Sequence, residues 1–171
     1  MVKDCSLFNL LQSDRPILSD GAMGTLLHQR GVSFEQCFDE LNLTRPALVA
    51  EIHREYIDAG AQIIQTNTFG SNRYKLAQHG LEGKVAEINI AAVELARRVV
   101  LASFKEVLIA GDIGPLGVRL APFGRVQQDD ARQAFREQIA ALAGAGVDLL
   151  IIETMTDLYE VREAVGAARD V

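Results

Sequence analysis

The sequence has no tryptophan, two cysteines and three histidines in 171 residues, and no apolar run long enough to span a bilayer. Two cysteines, Cys5 and Cys37, cannot build the disulfide framework of a small secreted domain. His28, His53 and His79 each fall in an expected helix with no second ligand at i+3 or i+4, and no His-Glu-x-x-His is present. No metal constellation is therefore visible, and the histidines and cysteines read as surface or core residues. Basic residues are the minority, 17 against 23 acidic, for a net charge of −6. With no basic stripe interleaved with aromatics, this argues against a nucleic-acid partner. Asp4, Ser6, Asn9 and Gln12 interrupt the apolar N-terminus, which does not read as a secretory segment. What remains is the profile of a cytoplasmic acidic enzyme domain with neither membrane nor nucleic acid as partner.

What is present is an alternation of short apolar runs and amphipathic stretches. A short helix is expected from Cys5 to Ser13, broken by Arg15-Pro16. Pro16 to Ser19 reads as a strand, and Gly24 to His28 as a helix stopped at Gly31. Thr44 is the expected N-cap of a helix with Pro46 in its first turn, running to Ala59-Gly60. Ala61 to Thr66 is the second strand, followed by helical stretches over Ser71–His79 and Lys84–Ala102. Glu106 to Asp112 is the third strand and Asp129 to Ala145 an amphipathic helix. Val147 to Ile152 is the fourth strand, and Thr156 to Arg169 the last helix. The order is β-α four times with near-continuous apolar strands, as expected for a parallel sheet covered on both faces. Two architectures satisfy it: the first four units of an eight-unit (β/α) barrel, or an open four-stranded doubly wound sheet.

The residues that stop the strands carry the functional signal. The apolar runs end in Asp20, in Thr66-Asn67-Thr68, in Asp112 and in Glu153-Thr154. In parallel α/β folds these ends share one face, which carries the chemistry. Asp112 has a competing role as a turn former in Asp-Ile-Gly-Pro. For Glu153 that alternative is weaker, because glutamate is a poor turn former and follows four apolar residues where an unpaired charge is costly. Asp20-Gly21-Ala22-Met23-Gly24-Thr25 offers free backbone N–H groups beside a carboxylate, suited to the two charges of an amino acid zwitterion. Its glycine spacing matches neither the dinucleotide nor the P-loop pattern.

Taken in order, Asp20-Gly-Ala-Met-Gly-Thr25, Gln65-Thr-Asn-Thr-Phe69, Gly111-Asp-Ile-Gly-Pro115 and Glu153-Thr-Met155 resemble the homocysteine S-methyltransferase family. The likeness is greatest to the N-terminal homocysteine-binding module of cobalamin-dependent methionine synthases, and runs from about Leu18 to the last residue. It implies a TIM-type (β/α)₈ barrel binding homocysteine at its C-terminal mouth. There a zinc ion stabilises the homocysteine thiolate for attack on an activated methyl group. It also implies that Asp20 and Glu153 hold the substrate ammonium and the amides near Gly21 its carboxylate, while Asn67, Thr68 and Asp112 belong to the pocket. The family's zinc sits on three later cysteines, one after the sixth strand and a pair after the eighth. None is matched here, so they are expected beyond Val171, and the chain alone is expected to be inactive. Betaine-using members carry tyrosine where this sequence has Gly70. That favours the branch whose methylcobalamin and methyltetrahydrofolate sit in other domains.

Three readings follow: the homocysteine-binding half of a methyltransferase completed by the rest of its barrel, a metal-free amino acid binding module, or a half-barrel that self-associates through open sheet edges.

Overall fold

The computed structural model describes residues 7–12 and 14–171. Three parallel strands, β1 (Ile63–Gln65), β2 (Leu108–Ile113) and β3 (Leu149–Ile152), pair in the order β1-β2-β3. Ile63 is in register with Leu108, and Ala110 with Leu149. The helices are α1 (Leu7–Leu11), α2 (Met23–Gln29), α3 (Leu41–Thr44), α4 (Pro46–Asp58), α5 (Arg73–Ala77), α6 (Val85–Ser103), α7 (Gln128–Ala145) and α8 (Leu158–Arg169).

The expected first strand is reduced to one bridge, Ser19 with Ile63, running parallel to β1. Asp20 N donates to Ile63 O at 2.9 Å, and Gln62 N to Leu18 O at 2.8 Å. The segment lies alongside β1, but proline at its start has no N–H to donate, and no regular strand extends from it. Thr44, expected as an N-cap, instead closes α3, its hydroxyl donating to Glu40 O at 3.1 Å. Arg45 occupies the cap of α4, while Pro46 sits in that helix's first turn as expected. Of the helix anticipated over Cys5–Ser13, the part at Leu7–Leu11 is present; Cys5 and Ser13 lie outside the described residues.

Strand alternation sorts the side chains onto two faces. Ile64, Ile109 and Ile113 point to the helical layer. Ile64 and Ile109 meet Ile57, Ala96 and Val99, whereas Ile113 joins Phe135, Ile139 and Leu142. Gly111 lets α7 approach: a Cβ there would lie 3.2 Å from the Leu142 side chain. On the other face Ile63, Leu108 and Ala110 are buried under Leu7 and Leu10 of α1, with Ile17, Leu149 and Ile151 at the margins. α7 ends at Gly146 in the left-handed region, φ 88°. No described helix is long and apolar enough to cross a membrane.

Candidate active site at the strand ends

The inner face changes character along each strand. Gln65 shares the face of Ile63, Asp112 that of Leu108 and Ala110, and Glu153 continues the parity of Leu149 and Ile151. All three line one cavity of about 630 Å³, together with Asp20, Gly21, Asp39, Asn67, Phe69 and Lys75. Four carboxylates thus meet one lysine ammonium.

Asp20 is fixed by the neighbouring strand. Gln65 N donates to its Oδ2 at 2.8 Å, and Ser19 Oγ to its Oδ1 at 3.2 Å. Burial nevertheless pushes its pKa up to about 6, against the lowering effect of those bonds. Asp112 lies within β2, 7 % exposed, and its Oδ1 has no partner among the described residues. It is therefore no turn cap. Burial, then the charges of Glu153, Asp39 and Asp20, push it up to about 8. Glu153 is half-buried, its backbone N–H donating to Ile113 O at 3.1 Å. Beside Gly21 stands Tyr56, whose hydroxyl would be 3.1 Å from a Cβ at that position.

The Thr66-Asn67-Thr68 segment builds the wall. Asn67 lines the cavity, but its side-chain nitrogen donates to Phe38 O at 2.7 Å, and its backbone carbonyl accepts from Asn42 Nδ2 at 2.8 Å. Thr68, expected in the lining, lies beneath it. Its side chain is fully buried, with Oγ1 2.7 Å from Thr66 Oγ1 and donating to Asp112 O at 2.8 Å. From the outer layer, Gln138 Nε2 donates to Thr68 O at 2.8 Å and Asp112 O at 3.4 Å.

Sequence reasoning missed the second wall, supplied by the stretch between α2 and α3. Asp39 Oδ1 accepts from Gly70 N and from Ser71 Oγ, both at 2.9 Å. Burial raises its pKa while those bonds oppose the shift. Gly70 permits this close approach: a Cβ would fall 2.7 Å from Asp39 Oδ2 and Asp39 would have to shift. Phe34, 70 % exposed at the rim, stacks on His28 with ring centres 3.9 Å apart. Cys37 and His79, read from sequence as inert, also line the cavity; burial and Asp39 push the Cys37 thiol up to about 11. The signal available in sequence was Gly70 itself, a glycine in a polar loop awaiting a close neighbour.

Such a cavity has acids for an ammonium group, amides and a lysine for a carboxylate, and apolar rings for a short side chain. The methionine synthase of Mycobacterium tuberculosis (strain ATCC 25618 / H37Rv) is 33% identical over 175 residues, covering 97% of this chain and 14% of that protein. The methionine synthase of Mycobacterium leprae (strain TN) is 31% identical, with 92% and 14% covered. The metallated form of the Escherichia coli homocysteine methyltransferase MmuM superposes with a TM-score of 0.82 at 27% identity, over 95% of this chain and 62% of that one. The chain thus spans about a seventh of the curated relatives and under two thirds of the solved one. A family model described as homocysteine S-methyltransferase matches residues 17–171, and the chain belongs to that family.

Proposed function

We propose that this chain is the homocysteine-binding part of a zinc-dependent S-methyltransferase that makes methionine, acting in the cytoplasm. In this reading it forms the first four units of a (β/α)₈ barrel, and the remaining units pair with the free side of β3. The observation that carries it is the convergence of Asp20, Asp112 and Glu153, from three separate strand ends, on one cavity. Asp20 and Glu153 take the ammonium of homocysteine, the amides near Gly21 its carboxylate, and Asn67, held through its side-chain nitrogen and its backbone carbonyl, keeps the wall in place.

No group of three or more His, Cys, Asp or Glu among the described residues can hold a metal ion. The described residues therefore do not fit a zinc site, and the chain's own contribution is to bind and orient the amino acid. The zinc cysteines, methylcobalamin and methyltetrahydrofolate belong in this reading to other parts of the enzyme, and the chain alone is inactive. The second reading is an amino acid binding module without catalysis, which shares the same cavity.

Calorimetric titration with homocysteine tests the assignment. Binding by the wild type, weakened about tenfold or more by Asp20→Asn or Glu153→Gln, is expected from loss of a charge-assisted hydrogen bond. Unchanged affinity in both variants overturns the ammonium assignment. Zinc content and methyl transfer, measured on the same protein, separate the enzyme from the binding module.

A further inference from the structure

The cavity's positive charge comes from a side chain that neither the strand ends nor the family motifs single out. Lys75 sits in α5, directly behind Asn72, whose side-chain oxygen accepts from Tyr74 N and Lys75 N, both at 3.1 Å. Its aliphatic stem runs between two glycines. A Cβ on Gly117 would lie 3.1 Å from Lys75 Cγ, and one on Gly70 would lie 3.4 Å from its Cδ. Gly117 has φ +76°, so the backbone there already favours glycine. The stem is thereby confined, and the ammonium is delivered to the cavity wall 4.2 Å from the centre of the Phe69 ring.

Lys75 Nζ makes no ion pair or hydrogen bond among the described residues. Asp39, Glu160 and Asp112 all act on it through their charges, yet none closes to ion-pair distance. Asp39 is already engaged by Gly70 and Ser71, and Glu160 Oε1 accepts from Leu116 N at 2.7 Å. Lys75 is only partly buried and lines the cavity, so the three donors of its ammonium are open to a ligand there. A lysine so confined and left unpaired in a cavity rich in acids complements the anionic end of a zwitterion whose cationic end meets those acids.

We propose that Lys75 binds the α-carboxylate of the amino acid ligand, supplying the formal positive charge that the amides near Gly21 lack. This rests on the reading of the cavity as an amino acid site and names a specificity-determining residue within it. Lys75 thereby selects α-amino acids over simple amines carrying the same side chain.

The test compares homocysteine with 3-aminopropane-1-thiol, which keeps ammonium and thiol but has no carboxylate, by calorimetry on wild type, Lys75→Met and Lys75→Arg. The expected result is a wild-type preference for homocysteine of about tenfold or more, lost in Lys75→Met through weaker homocysteine binding alone and largely restored in Lys75→Arg. Lys75→Gln, with a polar uncharged head, replaces the methionine variant should that one fail to fold. A wild type that binds homocysteine, with uncharged variants that keep its preference, overturns the Lys75 assignment and leaves the amino acid site standing. A wild type that binds neither compound overturns both.

Discussion

The two ends of the inner sheet face differ sharply in character, although the same strands make both. At one end Ile63 and Leu108, in register, are closed over by Leu7 and Leu10 of α1. At the other, two to four residues further along, Gln65, Asp112 and Glu153 face a cavity. The first end is stabilised by apolar burial. The second carries Asp112, whose burial opposes its ionisation, which costs stability at neutral pH. Strands of three to six residues thus serve folding at their start and ligand chemistry at or just past their end.

Several substitutions would break or sharpen this contrast. Leu108→Ala at the apolar end removes a side chain 2 % exposed. It should cost about 2–5 kcal/mol in chemical denaturation while leaving the ligand affinity of the folded fraction unchanged. Gly114→Ala lies at the boundary, where a Cβ would fall 2.5 Å from both the ring and the carbonyl oxygen of Phe69. A loss of roughly 1–3 kcal/mol is expected, accompanied by weaker homocysteine binding as Phe69 is displaced from the wall.

Asp112→Asn addresses the acidic end. With its pKa at about 8 in the folded protein, above the unfolded carboxylate, Asp112 keeps a proton that the unfolded chain releases. Stability from this group is present below the unfolded value and is lost as pH rises toward 8. The asparagine variant should therefore match the wild type near pH 4 and exceed it by about 1–2 kcal/mol at pH 8, read from urea midpoints.

The smallest effect at neutral pH is expected at His53, fully buried in α4 with neither ring nitrogen hydrogen-bonded among the described residues. Burial lowers its pKa to about 4. The unfolded chain then takes up the proton first, so stability is lost as pH falls from about 6.5 toward 4. His53→Leu should flatten that acid limb by on the order of 1–3 kcal/mol and leave homocysteine binding unaltered.

Sequence reasoning reached what depends on local pattern. The strands ending in Asp112 and Glu153 were readable because an apolar run interrupted by an acid is a one-dimensional signal. The long helices α6 and α7 followed from their periodicity. Less legible were features created by contact across the chain. Asp39 lies in a stretch without regular pattern, and only the folded chain brings it to Gly70. Lys75 looks like an ordinary helical lysine until Gly70 and Gly117 confine its stem. The resemblance to the family implies that Thr68 lines the pocket, yet the turn after β1 sends its hydroxyl to the Asp112 carbonyl. Pro16–Ser19 has the composition of a strand, but its pairing with β1 amounts to one bridge.

The bonds from Gln138 to the carbonyls of Thr68 and Asp112 also bear on the order of folding. The first closes a loop of 70 residues, and the bond from Gln65 to Asp20 closes one of 45. Contacts so distant along the chain are entropically expensive until the intervening elements have docked. The helices of the outer layer can assemble on local contacts, whereas the floor of the cavity must await α7. The pocket therefore depends on contacts that single helices do not make, and a chain that has gained only its helices has not yet gained a place for its ligand.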